Sequence, residues 1–189
     1  MNTTRPIKME TNMKIEDVVV DLETLGTVPG CGILAIGAVS LDLRERFYEK
    51  ISPPSNRSFR LFTEKDTLDW WDKQSDEARN ESFGGTLSLD TVLNNFSIWL
   101  KSLSSESEKI RVWGNGADFD VPILRVAYKE AAIECPVGKL SARCYRTLKE
   151  EFPDVKKPPF VGERHTAIAD ARFQAEHLKL LLNLVTKRR

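Results

Sequence analysis

The stretch VVVDLETLG, residues 18–26, ends a hydrophobic run with two carboxylates and a turn. Successive side chains of a strand point to opposite faces, so Asp21 and Glu23 are predicted to share one face while Leu22 packs on the other. Two carboxylates on one face repel each other unless a positive group lies between them, and oxygen ligands of this kind suit Mg²⁺ or Mn²⁺. The alternative is a strand end whose Asp begins a turn and whose Glu is solvated. On these residues alone, that alternative is favoured.

The composition indicates a soluble globular protein. Of the 189 residues, 41% are hydrophobic and 30% are charged, as in ordinary globular chains. Residues 1–14 lack periodicity and are expected to form a flexible tail before a single domain over 15–189. No run approaches the roughly 20 apolar residues of a membrane helix, and the start, MNTTRPIKME, lacks the apolar core of a secretion signal. We therefore expect a cytoplasmic protein without a membrane partner; its oligomeric state, a homodimer included, is left open.

Charge and cysteine content narrow the function classes. Lys and Arg total 28 and Asp and Glu total 28, which argues against wrapping long nucleic acid by bulk electrostatics. An enzyme that grips a few nucleotides through local positive groups and metal ions is still allowed. The cysteines, Cys31, Cys135 and Cys144, are odd in number and lack CxxC spacing. They predict buried free thiols rather than a disulfide framework or a zinc site.

The order of hydrophobic patterns predicts an α/β domain built on a mixed sheet. Strand-like runs with short connections, which predict an antiparallel meander, lie at 16–22, 31–43 and 44–51. Helical periodicity follows at 67–79, 89–103, 118–132 and 166–189, and a short strand-like run lies at 110–113. The remaining segments are predicted to be a loop at 52–66 and mostly helical at 139–152.

A second pair of acidic residues follows the strand at 110–113, within GNGADFD (114–120). An aspartate at a helix start is well suited to capping, which explains one of the two readily and the pair less well. Asp120 is the preferred metal ligand, because apolar residues follow it at i+3, i+4 and i+7 and would place it at the top of a buried helix face. Asp118 is the alternative ligand.

A histidine and an aspartate come together in HTAIAD, residues 165–170. His165 precedes a predicted helix, and Asp170 lies in its first turns, where alanines at helical spacing should bring the helix close to the sheet. A lone histidine before a helix is more often a surface or capping residue. His177, farther along the same helix, is predicted to lie on a solvated face.

Taken together, the three segments reverse the preference for the ordinary structural explanations. The ordered set contains four carboxylates and one histidine, namely Asp21, Glu23, Asp120, His165 and Asp170. Pooled carboxylates suit two-metal phosphoryl chemistry, in which ions about 3.5–4 Å apart activate a water and stabilise the leaving oxygen.

These segments resemble a known family. DLETLG, WGNGADFDVPIL and HTAIADA, in this order, are similar to the three exonuclease motifs of the DnaQ-like 3′→5′ exonucleases, and the spacing of His165 and Asp170 marks the DEDDh branch. The linking TLDWWDKQSDEAR resembles the subgroup of phage exodeoxyribonuclease A and the mycobacterial-type 3′→5′ exoribonuclease. The resemblance spans 16–182 and implies a ribonuclease H-like fold, a five-stranded sheet flanked by helices. It also implies release of nucleoside 5′-monophosphates from the 3′ ends of single-stranded DNA or RNA.

The resemblance assigns roles to the acidic set. Asp21, Glu23 and Asp170 would hold one divalent ion, Mg²⁺ or Mn²⁺, and Asp21 with Asp120 would hold a second. His165 would be the general base that deprotonates the attacking water, a task suited to an imidazole at neutral pH.

Further residues are candidates for substrate contacts. Thr24, Leu25 and Gly26 match the segment that meets the terminal nucleotide and its 3′ hydroxyl in relatives. Asp118 departs from the small or neutral residue expected there, which keeps the choice between Asp118 and Asp120 open. A catalytically inactive binding module and a phosphohydrolase of nucleotides or short oligomers are the alternative functions.

Two aromatic residues and a basic loop could also contact the substrate. Trp70 and Trp71 point about 100° apart on a helix, so one is predicted to pack inside and the other to stack on a base, which tolerates any sequence. The alternative is that both tryptophans pack in the core. Lys156, Lys157 and Arg164 either meet phosphates or form a solvated loop.

Overall fold

The acidic stretch lies in β1 (Asp17–Thr24), the central strand of a five-stranded sheet in a computed structural model that describes residues 15–187. The other strands are β2 (Ile33–Ser40), β3 (Arg46–Lys50), β4 (Arg111–Gly114) and β5 (Ala142–Cys144). Their spatial order is β3-β2-β1-β4-β5, with β1, β2 and β3 antiparallel and β4 and β5 parallel to β1. The predicted meander followed by parallel strands is confirmed. The tail expected at 1–14 lies outside the described residues.

Helices connect and cover the strands. They are α1 (Pro53–Ser58), α2 (Lys65–Trp71), α3 (Asp76–Phe83), α4 (Leu89–Ser102), α5 (Asp120–Glu130), α6 (Tyr145–Glu151) and α7 (Ala167–Lys187). Within the described part of the chain, no helix has the length and apolar character needed to cross a lipid bilayer.

The side chains of β1 alternate between two buried layers, as the period of two requires. Val18, Val20 and Leu22 are buried with the apolar faces of α4 and α5, whereas Val19 is buried with α7. Asp21 and Glu23 have the parity of Val19 and so belong to the α7 side of the sheet. The prediction that the two carboxylates share one face, with Leu22 on the other, is confirmed.

The start of α7 lies unusually close to β2. Gly37 is paired with Asp21 in the sheet, and a Cβ built on Gly37 would lie 2.2 Å from the carbonyl carbon of Ala167. Ala167, Ala171 and Ala175 are fully buried along the same helix. The predicted small-residue stripe is therefore confirmed, and its close contact brings the first turns of α7 alongside β1.

Two local predictions are wrong. The loop expected at 52–66 contains α1, which begins with prolines suited to a first helical turn. The side chain of its Asn56 replaces a strand partner, accepting a hydrogen bond from the Ile33 backbone N–H at 2.9 Å and donating one to its carbonyl at 3.0 Å. The segment 139–152, expected to be mostly helical, contains β5, whose three residues are too few to show a period of two.

Candidate active site

Carboxylates from β1 and α7 converge at one end of the sheet. Oxygen atoms of Asp21, Glu23 and Asp170 lie within 4.8 Å of one another, and we call these three residues the acidic cluster. The strand supplies two of them from one face, and the close approach of α7 supplies the third. Oxygen atoms gathered in this way suit a hard divalent cation.

Another buried carboxylate of β1 shows what the acidic cluster lacks. Asp17, only 5% exposed, accepts hydrogen bonds from both Nε and Nη2 of Arg111 and from Nε1 of Trp113. No ion pair within residues 15–187 involves a member of the acidic cluster. Because an unpaired buried charge costs several kcal/mol, the cluster needs positive charge from outside the protein. Its donor set therefore fits divalent metal ions.

The protonation of the acidic cluster reflects the same shortage of positive charge. Burial raises the pKa of Asp21 well above its ordinary value, and the charges of Asp120, Glu23 and Asp170 raise it further. Burial, with Asp170 and Asp120, raises the pKa of Glu23 to about 8. Burial also raises the pKa of Asp170, against the hydrogen bond that it accepts from the His165 backbone. Without a cation the cluster therefore retains protons at neutral pH, and cation binding should release them.

Asp120 and Asp118 occupy different environments. Asp120 is 1% exposed at the start of α5, and its oxygens accept hydrogen bonds from the backbone N–H groups of Leu22 at 3.2 Å and Asn115 at 2.6 Å. Asp118 is exposed. The core stripe expected after Asp120 is confirmed, because the residues at i+3, i+4 and i+7 are fully buried. Asp120 is not part of the acidic cluster, whose oxygen atoms lie within 4.8 Å of one another. Like the members of that cluster, it has a pKa raised by burial, to about 6.

Gln174 is a residue of this site that sequence reasoning missed. Its Nε2 donates to Oδ1 of Asp21 at 2.6 Å, and its side chain is almost completely buried. Its Oε1 has no hydrogen-bond partner within the described structure, and the same is true of Oδ1 of Asn115, which lines the same cavity. The available signal was spacing, because Gln174 follows Asp170 by four residues and so shares its helix face.

His165 lies at the mouth of the site in a constrained backbone. Its φ of +60° falls in the left-handed region, which is uncommon for a residue with a side chain. Its N–H donates to Oδ2 of Asp170 at 2.9 Å, and its ring meets the ring of Trp70 edge-on, with centroids 5.0 Å apart. The imidazole is therefore held beside the acidic cluster from both the backbone and the ring side.

A cavity of about 910 Å³ opens over the acidic cluster. Its lining includes Thr24 and Gly26 but not Leu25. The Leu25 side chain is 5% exposed, and its backbone N–H and C=O are bonded to Gly32 and Glu64. The structure thus places two residues of the predicted substrate segment at the cavity, and it places the third in the core.

The tryptophan pair divides between core and cavity. Trp71 is 2% exposed, and its Nε1 donates to the Thr24 carbonyl at 2.9 Å. Trp70 is 40% exposed and lines the cavity next to His165. The prediction that one tryptophan packs inside and the other lies outside is confirmed. Stacking of Trp70 on a nucleobase stays a prediction.

The solvated position predicted for His177 is wrong. His177 is 2% exposed because α6 and the loop after it cover this face of α7. Its Nδ1 lies 2.8 Å from the hydroxyl of Tyr145, and its Nε2 lies 3.1 Å from the carbonyl oxygen of Val155. His177 therefore joins three segments of the chain and lies outside the cavity lining.

Solved structures show which class this fold defines. The nuclease domain of 3′hExo, described as a DEDDh family member bound to rAMP, matches with a TM-score of 0.60 over 90% of this chain and 93% of that chain, at 12% identity. Cell-death related nuclease 4 (CRN-4) matches with a TM-score of 0.57 over 90% of this chain and 65% of that chain, at 18% identity. At these identities the likeness establishes the fold. The ribonuclease H-like fold of the DEDDh nucleases, predicted from the sequence motifs, is confirmed.

Sequence comparison adds the family. The model of the 3′-5′ exoribonuclease Rv2179c-like domain matches residues 16–182, and the chain belongs to this family. The exodeoxyribonuclease of Enterobacteria phage T4 is 28% identical over 122 residues, covering 57% of this chain and 53% of the phage protein, so the chain spans about half the length of that relative. Both comparisons name exonucleases, which are hydrolases acting on nucleic acids. The membership of this family, predicted from the three motifs and the linking segment, is confirmed.

Proposed function

We propose that the protein is a metal-dependent 3′→5′ exonuclease that removes nucleoside 5′-monophosphates from the 3′ ends of single-stranded nucleic acid. One observation carries the proposal: the acidic cluster lies beside His165 in an open cavity, without an ion pair to any described residue. A polyanionic substrate would be repelled by such a cluster unless metal ions reversed the local charge.

The chain's own residues divide into ligands and support. Asp21, Glu23 and Asp170 would hold one ion, and Asp21 with the buried Asp120 would hold a second, with Mg²⁺ or Mn²⁺ suited to these oxygen donors. When bound, such ions stabilise the charge that develops on the attacking and leaving oxygens. Gln174 keeps the shared ligand Asp21 in a fixed orientation through the hydrogen bond between them.

His165 acts as the general base. Its imidazole takes a proton from the attacking water, whose oxygen forms a bond to the last phosphorus as the bond from that phosphorus to the preceding 3′ oxygen breaks. The leaving 3′ oxygen takes a proton from solvent water, so the shortened chain ends in a 3′ hydroxyl, and the released nucleotide keeps its phosphate on the 5′ side. The contact between the rings of His165 and Trp70 holds the imidazole next to an exposed aromatic surface. The terminal nucleobase of the substrate can stack on that surface.

The test uses matched single-stranded DNA and RNA oligomers, labelled at the 5′ end, with free or phosphate-blocked 3′ ends and either Mg²⁺ or Mn²⁺. We expect a ladder of shortened products from the free ends, strong inhibition by the block, and no products from Asp21→Asn. The relative rates on DNA and RNA would assign the substrate, which the names leave open: the family description names an exoribonuclease and the phage relative is an exodeoxyribonuclease.

Two outcomes would reject the proposal in favour of its alternatives. Protein that binds Mn²⁺ but leaves every oligomer intact would be a binding module of the same fold. Protein that cleaves dinucleotides but produces no ladder from longer chains would be a phosphohydrolase of short substrates.

A further inference from the structure

A cluster of basic side chains lies beside the cavity on the α6 side of the sheet. Arg146 and Lys149 are three residues apart on α6, so they lie on one side of the helix about 4.5 Å apart along its axis. Lys157 follows from the loop after α6 and is exposed, as is Arg146. We call Arg146, Lys149 and Lys157 the α6 basic cluster.

The three cations are close together and form no ion pair among the described residues, although the charge of Arg146 acts against the burial that raises the pKa of Asp120. Burial lowers the pKa of Lys149, and the nearby charges of Lys157 and Arg146 lower it further, against the charge of Glu150. Lys149 Nζ lies 5.3 Å from the centroid of the Tyr145 ring, which places the amine over an aromatic face rather than beside a carboxylate. No ion pair among the described residues includes a member of the cluster. None of the three is therefore neutralised by an ion pair within residues 15–187, in a segment that also carries the exposed Glu150, Glu151 and Asp154.

The fold holds the loop residue next to the helix. Tyr145, at the start of α6, is hydrogen-bonded to His177, whose other ring nitrogen lies 3.1 Å from the carbonyl oxygen of Val155. Val155 precedes Lys157 by two residues. The buried Tyr145–His177 pair therefore fixes the base of the loop that presents Lys157 beside Lys149.

The cluster is continuous with the cavity at Arg146. Its Nη2 donates to the carbonyl oxygen of Asn115 at 2.6 Å, and Asn115 lines the cavity. The N–H of Asn115 in turn bonds the carboxylate of Asp120. A nucleic acid whose 3′ end lies in the cavity can thus leave past Arg146 and continue over Lys149 and Lys157.

We propose that the α6 basic cluster binds the phosphates of single-stranded nucleic acid upstream of the nucleotide being removed. This inference rests on the proposed function, because that function places the 3′ end in the cavity. The site takes successive phosphodiesters without reading the bases, since lysine and arginine heads at a surface contact the backbone. It would favour longer chains over dinucleotides, which end before they reach Lys149.

The test measures the salt dependence of binding for an oligomer long enough to pass the cavity. Each phosphate contact to a single strand contributes about 0.7 to the slope of log K against log salt. The double variant Lys149→Gln/Lys157→Gln should therefore lose about 1.4 of slope. It should also show a several-fold smaller ratio of kcat/KM on the long oligomer to kcat/KM on a dinucleotide. Lys157→Gln alone, on an exposed loop, should lose about half as much and guards against a folding defect in the double variant.

The matched control is Lys101→Gln/Lys129→Gln, which removes two exposed lysines from α4 and α5 on the opposite layer. It should keep the slope and the ratio of the unmodified protein. Variants of the basic cluster with an unchanged slope, while the unmodified protein degrades the oligomer, would overturn this inference and leave the proposed function standing. A reduced slope in a protein that cleaves nothing would overturn the proposed function and leave the cluster as a binding site for single-stranded nucleic acid.

Discussion

Nε2 of Gln174 and Oδ1 of Asp21 lie 2.6 Å apart, and this hydrogen bond joins α7 to the central strand at the acidic cluster. Gln174 is neutral, so it can contact Asp21 without competing with a metal ion for charge. We therefore expect Gln174 to orient Asp21, by holding a carboxylate that repulsion from its like-charged neighbours would otherwise turn away.

Gln174→Met should weaken metal binding, because methionine fills a similar volume without donating to Asp21. Loss of such outer hydrogen bonds typically costs 10- to 100-fold in metal affinity or activity. Titration with Mn²⁺, followed by electron paramagnetic resonance or calorimetry, measures the change apart from turnover. Arg172→Ala, on the exposed side of α7, is the control; equal affinities in both variants would remove Gln174 from this role.

Asp21→Asn and Asp17→Asn should change stability in opposite directions, although both residues lie on β1. Asp21 is crowded by carboxylates, so its neutralisation should raise the melting temperature of the metal-free protein near pH 8. Asp17 is paired with Arg111, so its neutralisation should lower it. Turnover should be abolished only in Asp21→Asn. Thermal melts in EDTA, with a nuclease assay, test both; turnover retained by Asp21→Asn would exclude Asp21 as a ligand.

The metal-free protein should lose stability as pH rises from about 5 to about 8, between the unfolded and folded pKa values of Glu23. The pKa values of Asp21 and Glu23, the latter about 8, are raised by burial in the folded state. In this window the folded state therefore binds more protons than the unfolded chain, and the free energy of unfolding falls with increasing pH. Mg²⁺ should oppose this trend, since it binds the deprotonated cluster. Melts in EDTA that are flat across this range would contradict the prediction.

His165→Ala should slow turnover by roughly 10²- to 10⁴-fold, the usual contribution of a general base. Mn²⁺ affinity should change little, because the backbone N–H of residue 165, which bonds Asp170, is kept. Single-turnover rates with saturating metal separate the two effects. Full activity of the variant would reject His165 as the base.

Trp70→Ala and Trp71→Ala should have different effects. Trp70 is exposed at the cavity, so its loss should weaken oligomer binding by about 1–3 kcal/mol, the value of one base stacked on an aromatic ring. Trp71 is buried, so its loss should instead destabilise the fold by about 3–5 kcal/mol. Denaturant unfolding and binding titrations measure both quantities. A Trp70→Ala variant with unchanged binding would assign that residue to packing against His165 and Trp71 alone.

Local periodicity was sufficient to predict part of this site. Asp21 and Glu23 share a face because alternation along a strand depends on no other part of the chain. The alanine stripe likewise predicted that α7 would approach the sheet and bring Asp170 with it. The order of the motifs then identified the family, and with it a five-stranded sheet, although it did not locate β5.

Other features depend on tertiary packing and were not accessible from the sequence. His177 was assigned to a solvated face, because nothing near it in the sequence indicates that α6 and the loop at Val155 cover it. The choice between Trp70 and Trp71 depends on how α2 is rotated against Thr24. Gln174 could be placed on the face of Asp170 by spacing, but its contact with Asp21 depends on how close α7 comes to β1.

Gly37 carries no reactive group, yet it sets the distance between the two halves of the acidic cluster. Any side chain there would have to displace Ala167, and the origin of α7 would move outward while β1 stayed in place. Gly37→Ala, which adds a single methyl group, should therefore abolish the proposed activity although Asp21, Glu23 and Asp170 are all retained. Surveys that judge such proteins by their acidic residues alone would count that variant as active.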